Sequence, residues 1–311
     1  MGKLLGAVFL GWALGANDAA NVFGPAVSAR VVRYRTAILI AAVFVVLGAG
    51  TGGLRAIEAV GALDVQTPNT AFWVTLAAAL AMTLLIALRL PASSSQAIVG
   101  AIVGAALARH SNVDVEGLTR LVRGWVLTPV MAALIGMACT LILGSTQRWR
   151  PTRGLARLDL AVHLALLAAG AWGAYALGAN NAANVTGVFA AAGVVSPTQA
   201  AWIAGGSIAL GILTFASRLM YLVGRGLVQL EPATALVAMV SQALAVHAFA
   251  LWGVPVSSSQ ALAGGVLGIG VVKGVRTINM RALLNILLGW VATPVVGALL
   301  AYFLLQVTTP P

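Results

Sequence analysis

The sequence predicts an all-α polytopic membrane protein made of two inverted repeats, each with broken transmembrane helices and a re-entrant helical hairpin. Three observations lead there. Of the 311 residues, 60% are hydrophobic and only 8% are charged, with a mean hydropathy of +0.99. A soluble domain carries about 25% charged residues, so this chain lacks the polar surface to cover a water-exposed globule. Apolar runs of bilayer length follow one another with short loops between them. Finally, the second half of the chain repeats the first.

A helix needs about 20 apolar residues to cross a bilayer. Candidate segments run roughly over 4–27, 37–53, 70–90, 92–108 and 124–144, then 160–190, 199–217, 233–252, 255–272 and 282–305. The start Met1-Gly2-Lys3 leads into an apolar run without an A-x-A-like exit, so no cleavable signal peptide is expected. The single cysteine, Cys139, stands in an apolar stretch, which gives neither a disulfide framework nor a thiolate metal site. Basic residues outnumber acidic ones 18 to 7, for a net charge of +11. In a soluble protein that excess would suggest nucleic acid. Here it belongs in loops facing anionic lipid and cytoplasm, and no nucleic-acid partner is expected.

The repeat is specific. Leu14-Gly-Ala-Asn-Asp-Ala-Ala-Asn-Val-Phe-Gly24 returns as Leu177-Gly-Ala-Asn-Asn-Ala-Ala-Asn-Val-Thr-Gly187, with nine identities in eleven. Pro91-Ala-Ser-Ser-Ser-Gln-Ala97 returns as Pro255-Val-Ser-Ser-Ser-Gln-Ala261, and Gly124-Trp-Val-Leu-Thr-Pro129 as Gly289-Trp-Val-Ala-Thr-Pro294. The offsets are 163, 164 and 165, so almost nothing is inserted between the motifs. The domain reading is a first repeat over 1–147, a short basic cytoplasmic linker over 148–158 and a second, inverted repeat over 159–311.

Leu90 and Ala92 leave no room for a loop between their segments, so a re-entrant hairpin with the serine stretch at its tip is expected in each half. Three crossings per half, an odd number, then invert the second copy. With both termini outside, twelve basic residues fall in inner loops: Arg30, Arg33, Arg35, Arg148, Arg150, Arg153, Arg157, Arg218, Arg225, Lys273, Arg276 and Arg281. Five fall outside, namely Lys3, Arg55, Arg109, Arg120 and Arg123. That is the positive-inside bias. Counting each hairpin as two crossings gives the same total, so the arginines support inversion and the hairpins rest on the chemistry of their tips.

Two paired features break the apolar spans, and polar groups at bilayer depth survive only where they line a cavity or pack on protein. The first is Asn17-Asp18-x-x-Asn21 with its copy Asn180-Asn181-x-x-Asn184. Asn17 and Asn21 share a helix face, and the glycine before them is expected to loosen the helix. Asp18 is the one acid expected at membrane depth. Carboxylate and amide oxygens suit a small hard cation such as Na⁺; asparagines that merely join packed helices are the alternative. The second feature is Ser93, Ser94, Ser95 and Gln96 with Ser257, Ser258, Ser259 and Gln260. Serine is a good N-cap, so a helix is expected to begin at each tip and to aim its N–H groups and positive dipole end at an oxyanion. Plain helix capping is the alternative.

Other polar residues are less telling. Arg89 offers a counter-charge for the anion, a partner for Asp18, or a side chain that snorkels to the interface. His163 and His247 read as packed residues and His110 as loop. Thr128-Pro129 and Thr293-Pro294 read as helix kinks, with threonine serving freed backbone.

The duplicated Gly-Ala-Asn-Asp/Asn-x-x-Asn motif with its Pro-x-Ser-Ser-Ser-Gln hairpins resembles the inorganic phosphate transporter (Pit) family, which includes sulfate permeases. The resemblance covers almost the whole chain. It implies uptake of phosphate or sulfate driven by co-transported Na⁺ or H⁺, with no other cofactor, by a homodimer in the plasma (cytoplasmic) membrane. Carried over, Asn17, Asp18, Asn21, Asn180, Asn181 and Asn184 match the motif used for cation and substrate. We assign Asp18, Asn21, Asn181 and Asn184 to the cation and Asn17 and Asn180 to the substrate. Ser93–Gln96 and Ser257–Gln260 match the anion-holding tips. Asn181 departs from the family, many members of which have aspartate in both copies, and the large central loop of some members is missing. Phosphate is favoured over sulfate because it keeps an O–H that Asp18 can accept, whereas sulfate is acceptor-only. An anion channel is disfavoured by a mid-span carboxylate. An enzyme would need a nucleophile with its base, or a metal cluster, and no such spacing is visible.

Overall fold

The computed structural model describes residues 2–64, 66–88, 90, 92–146, 155–216, 231–274 and 280–308. Arg89, Arg218, Arg225, Arg276 and most of the 148–158 linker lie outside them. The described residues form eleven α-helices after a short 3₁₀ turn: α1 (Leu5–Ser28), α2 (Tyr34–Gly52), α3 (Leu54–Gly61), α4 (Pro68–Ala87), α5 (Ser94–Ala108), α6 (Val115–Thr146), α7 (Leu155–Ala191), α8 (Pro197–Phe215), α9 (Pro232–Leu251), α10 (Ser258–Lys273) and α11 (Met280–Thr308). Seven of these are long and apolar enough to cross a membrane. The protein is a multi-pass, all-helical membrane protein.

Local chemistry sets several starts. Thr67 and Ser196 cap α4 and α8 through capping boxes with Thr70 and Gln199, each with proline in the first turn. α1 lies at the centre, with 18 of its 24 residues buried, so its polar residues face protein rather than lipid.

Glycines fix the pairing of helices. A Cβ at Gly48 would strike the Tyr175 carbonyl, and one at Gly178 the Val45 carbonyl; Gly53 meets Ala182, and Gly61 meets Ala191. From 48/175 through 53/182 to 61/191 the residue numbers rise together, so the α2–α3 pair runs parallel to α7. Gly11 instead lies by Val185, Gly173 by Val22 and Gly170 by Phe23, so α1 and α7 run antiparallel. The two copies of the asparagine motif therefore point in opposite directions. The same exchange joins the halves elsewhere: Gly100 packs on the Pro294 carbonyl, and Gly264 on that of Pro129.

Three expectations change. First, α1 and α7 run unbroken through their asparagine motifs; the broken crossing is α2–α3, interrupted at Gly53. Gly15 and Gly178 permit close approach to the Ile208 and Val45 carbonyls and do not loosen their helices. Second, Arg55, expected in an outer loop, sits on α3 alongside α7 and donates to the Leu251 carbonyl at 2.9 Å. It thereby serves an orphan acceptor at the C-terminal end of α9. Third, the Thr128 and Thr293 hydroxyls donate to the Gly124 and Gly289 carbonyls at 2.6 Å. Those carbonyls stand one residue before the ones that Pro129 and Pro294 leave without an N–H.

Each hairpin, α4–α5 and α9–α10, is closed at its base by an ion pair whose basic residues hold matching repeat positions. Arg109 pairs with Asp64, a buried carboxylate that also accepts from Ser111 and Gln66. Lys273, 164 residues on, pairs with Glu231 at 3.5 Å in an exposed position. At the second tip Gly253 takes φ +69°, a turn that ends α9 and suits glycine.

Candidate functional site

Because α1 and α7 cross antiparallel with their motifs at the same depth, Asp18 and Asn181 come to one place, and both hairpin tips reach it. Ser93 and Ser257 are the N-caps of α5 and α10, which begin at Ser94 and Ser258. The first backbone N–H groups of each helix have no intrahelical partner and point out of the tip. The Ser257 hydroxyl takes the Gln260 N–H, whereas that of Ser93 caps nothing and lies 3.3 Å from Ser95 Oγ. Ser259 Oγ lies 2.9 Å from Ser257 Oγ.

Each tip is tethered to the asparagine helix of one half. Asn17 Nδ2 donates to the Ala92 carbonyl at 3.3 Å. Asn180 Nδ2 donates to the Val256 carbonyl at 2.7 Å, and its Oδ1 accepts the Val256 N–H at 2.9 Å. Ala92 and Val256 are the variable residues of the two Pro-x-Ser motifs. Each lies just before its helix N-cap and outside any helix, so its backbone groups are open to a side chain.

The centre is a carboxylate among amides. Asp18 Oδ1 accepts from Asn17 at 2.8 Å and from Asn21 at 3.2 Å. Asn21 also reaches Ser258 Oγ at 3.2 Å, across from the second tip. From the first tip, Ser94 Oγ lies 3.4 Å from Asp18 Oδ2 and 3.0 Å from Asn181 Oδ1. Asn181 Oδ1 accepts from Asn184 at 2.6 Å, and its Nδ2 donates to the Leu177 carbonyl. Asn17 and Ser259 are half-buried, and all the other motif asparagines, serines and glutamines are buried with Asp18. Among the described residues no basic side chain pairs with Asp18, and the amide oxygens of Gln96, Gln260 and Asn184 have no donor. Arg89 lies outside the described residues.

His247 stacks on Tyr175 and accepts from Trp172 at 3.2 Å, and His163 lies 3.0 Å from the Val31 carbonyl; both are remote from this cluster. The tethering of the tips by Asn17 and Asn180 was not legible from residue types alone. A mid-span asparagine needs a partner, but nothing in the sequence says that the partner is a hairpin carbonyl.

The sequence from residue 14 to residue 301 matches the family described as the phosphate transporter family. The chain belongs to the phosphate transporter family. Among relatives of this family member, a Methanocaldococcus jannaschii protein named as a phosphate permease is 28% identical over 97% of this chain and 95% of its own. The sulfate permease of Bacillus subtilis is 26% identical over 98% of this chain and 87% of its own. A solved structure titled as the sodium-dependent phosphate transporter shares the fold, with a TM-score of 0.81 and 21% identity over 99% of this chain and 100% of that one.

Proposed function

We propose that this phosphate transporter family member is a secondary active transporter, not an enzyme, that imports inorganic phosphate with a co-transported cation by alternating access. Na⁺ is the preferred cation over H⁺. One observation carries the reading: Asp18 is buried, is surrounded only by neutral groups among the described residues, and lies between two helix N-termini. A lone buried carboxylate is costly unless a cation joins it. The unserved amide oxygens of Gln96, Gln260 and Asn184 are acceptors, and acceptors favour a metal cation over a proton carrier. The tip N–H groups and the Ser94 and Ser258 hydroxyls would hold the phosphate. Asn17 and Asn180, with amides engaged on the tips, would act by positioning them.

The proposal places the protein in the plasma membrane as a homodimer, both termini outside, the second repeat inverted relative to the first. Net inward movement of an anion against a negative interior costs about 2.3 kcal/mol per charge per 100 mV, so the cation also supplies the drive. Sulfate is a second reading. Asn181 leaves one carboxylate where two could stand, and Asp18 fully engaged with a cation would no longer disfavour an acceptor-only anion. Labelled phosphate and sulfate uptake into proteoliposomes, each with an imposed Na⁺ or H⁺ gradient, tests both. The expected result is phosphate accumulation under the Na⁺ gradient. Accumulation of sulfate alone would select the second reading.

A further inference from the structure

Four buried polar atoms beside the hairpin tips have no hydrogen-bond partner among the described residues: the amide oxygens of Gln96 and Gln260 and the indole N–H groups of Trp125 and Trp290. Two are acceptors and two are donors, and each kind occurs once per repeat, since Trp125 and Trp290 belong to the two Gly-Trp-Val copies. The packing pairs them across the halves. Gly264 of α10 packs on the Pro129 carbonyl of α6, and one turn further Gly268 packs on that of Ala133, so these helices run side by side in the same direction. Gln260 stands four residues before Gly264, and Trp125 four before Pro129. Each therefore lies one turn back on the contacting face of its helix. A Cβ at Gly124 would meet Val254 and Val256, so α6 reaches the second tip at this level. The first tip repeats the arrangement. Gly100 and Gly104 of α5 pack on the Pro294 and Ala298 carbonyls of α11, and Gln96 and Trp290 lie one turn back from Gly100 and Pro294.

We propose that the indole N–H of Trp125 holds the Gln260 amide oxygen, and that of Trp290 the Gln96 amide oxygen, when a tip is set to receive the anion. Trp125 and Trp290 are thus positioning residues for transport, each serving the tip of the opposite repeat. A buried donor and a buried acceptor left apart are both costly, and joining them removes both costs at once. The closing motion is small, because the amide end of a glutamine turns in a broad torsional well. An amide oxygen has two lone pairs, so the indole takes one and leaves the other for the cation named above. Gln96 and Gln260 are the third residues of α5 and α10, in the turn that carries the N–H groups of the tip. Fixing that side chain on the neighbouring helix fixes where those N–H groups aim. The inference deepens the phosphate-transport reading above and rests on it.

The test is phosphate uptake into proteoliposomes by the full-length protein and by W125F and W290F, each alone and combined with Q96M or Q260M. Phenylalanine keeps a ring and removes the N–H; methionine keeps the side-chain length and removes the amide. W290F should raise half-saturating phosphate by about two- to twelvefold with the maximal rate near that of the parent, since a smaller fraction of the tips is then set to bind. The pairing gives a sharper signature. W290F should add nothing in the Q96M background and its full factor in the Q260M background, and W125F the reverse. Unchanged half-saturation in both tryptophan variants, or a tryptophan effect equal in the two glutamine backgrounds, overturns the inference. Should a glutamine variant not transport, the same cycle read in melting temperature of the purified proteins decides. Non-additive loss for the matched pairs supports the pairing, and additive loss for all four combinations overturns it. A parent that takes up no phosphate sinks the transport reading and the positioning role with it, whereas an active parent without matched coupling sinks this inference alone.

Discussion

Asp18 and Asn181, which hold the same place in the two copies of the motif, are bridged by one hydroxyl: Ser94 Oγ lies 3.4 Å from Asp18 Oδ2 and 3.0 Å from Asn181 Oδ1. Both neighbours are acceptors and the hydroxyl has one proton, so it serves only one of them at a time. When Ser94 serves Asn181, Asp18 gives up one of its donors, and it is a carboxylate with no basic partner among the described residues.

Removing that hydroxyl should weaken transport without unfolding the protein. Ser94→Ala and Ser258→Ala each delete a neutral donor worth roughly 0.5–1.5 kcal/mol, so phosphate uptake efficiency should fall by about two- to twelvefold. Initial rates over a range of phosphate concentrations, with melting temperature as control, check this. Unchanged kinetics in both variants would remove the tips from the site.

Asn180 should behave differently. Its amide serves both backbone groups of Val256. Asn180→Ala orphans a buried N–H and a buried carbonyl, each costing about 1–3 kcal/mol unless water enters. A lowered melting temperature together with weakened phosphate uptake is expected, and thermal unfolding in detergent measures the first part. The Asn17 contact is longer and uses one amide end, so Asn17→Ala should cost less.

Gly178→Ala should be poorly tolerated. The added methyl would strike the Val45 carbonyl, and overpacking of a tight contact costs about 1–3 kcal/mol. Gly206→Ala, which meets open space, is the matched control. Comparing yields of folded, inserted protein for the two variants checks it.

Orientation can be read with single cysteines in a cysteine-free background and an impermeant thiol reagent. Positions 33, 150 and 273 should be protected in whole cells and position 120 labelled. Labelling of 33 or 273 from outside would reverse the proposed topology.

Much of this architecture was legible because the chain is written twice. The motif copies marked the helices that meet, and the serine after each Pro-x marked where α5 and α10 begin. Other features depend on partners that no single segment names. The break at Gly53 falls where α2 lies against Ala182, and an apolar run that ends at glycine reads as the end of a span. Arg55 looked like a loop residue for the same reason. Its guanidinium is satisfied by the last carbonyl of α9, nearly 200 residues away, and only the packed molecule shows that pairing.

The central claim is that Asp18 couples cation to anion, and Na⁺-gradient-driven accumulation of labelled phosphate by Asp18→Asn protein in proteoliposomes tests it most directly. The substitution keeps the shape and removes the charge. Folded, inserted Asp18→Asn protein should show no accumulation above equilibrium, whereas Asn181→Asp, which adds a carboxylate at the matching position, should still accumulate phosphate, with the same or an altered Na⁺ dependence. Phosphate concentrated by Asp18→Asn in response to a Na⁺ or H⁺ gradient would contradict the account.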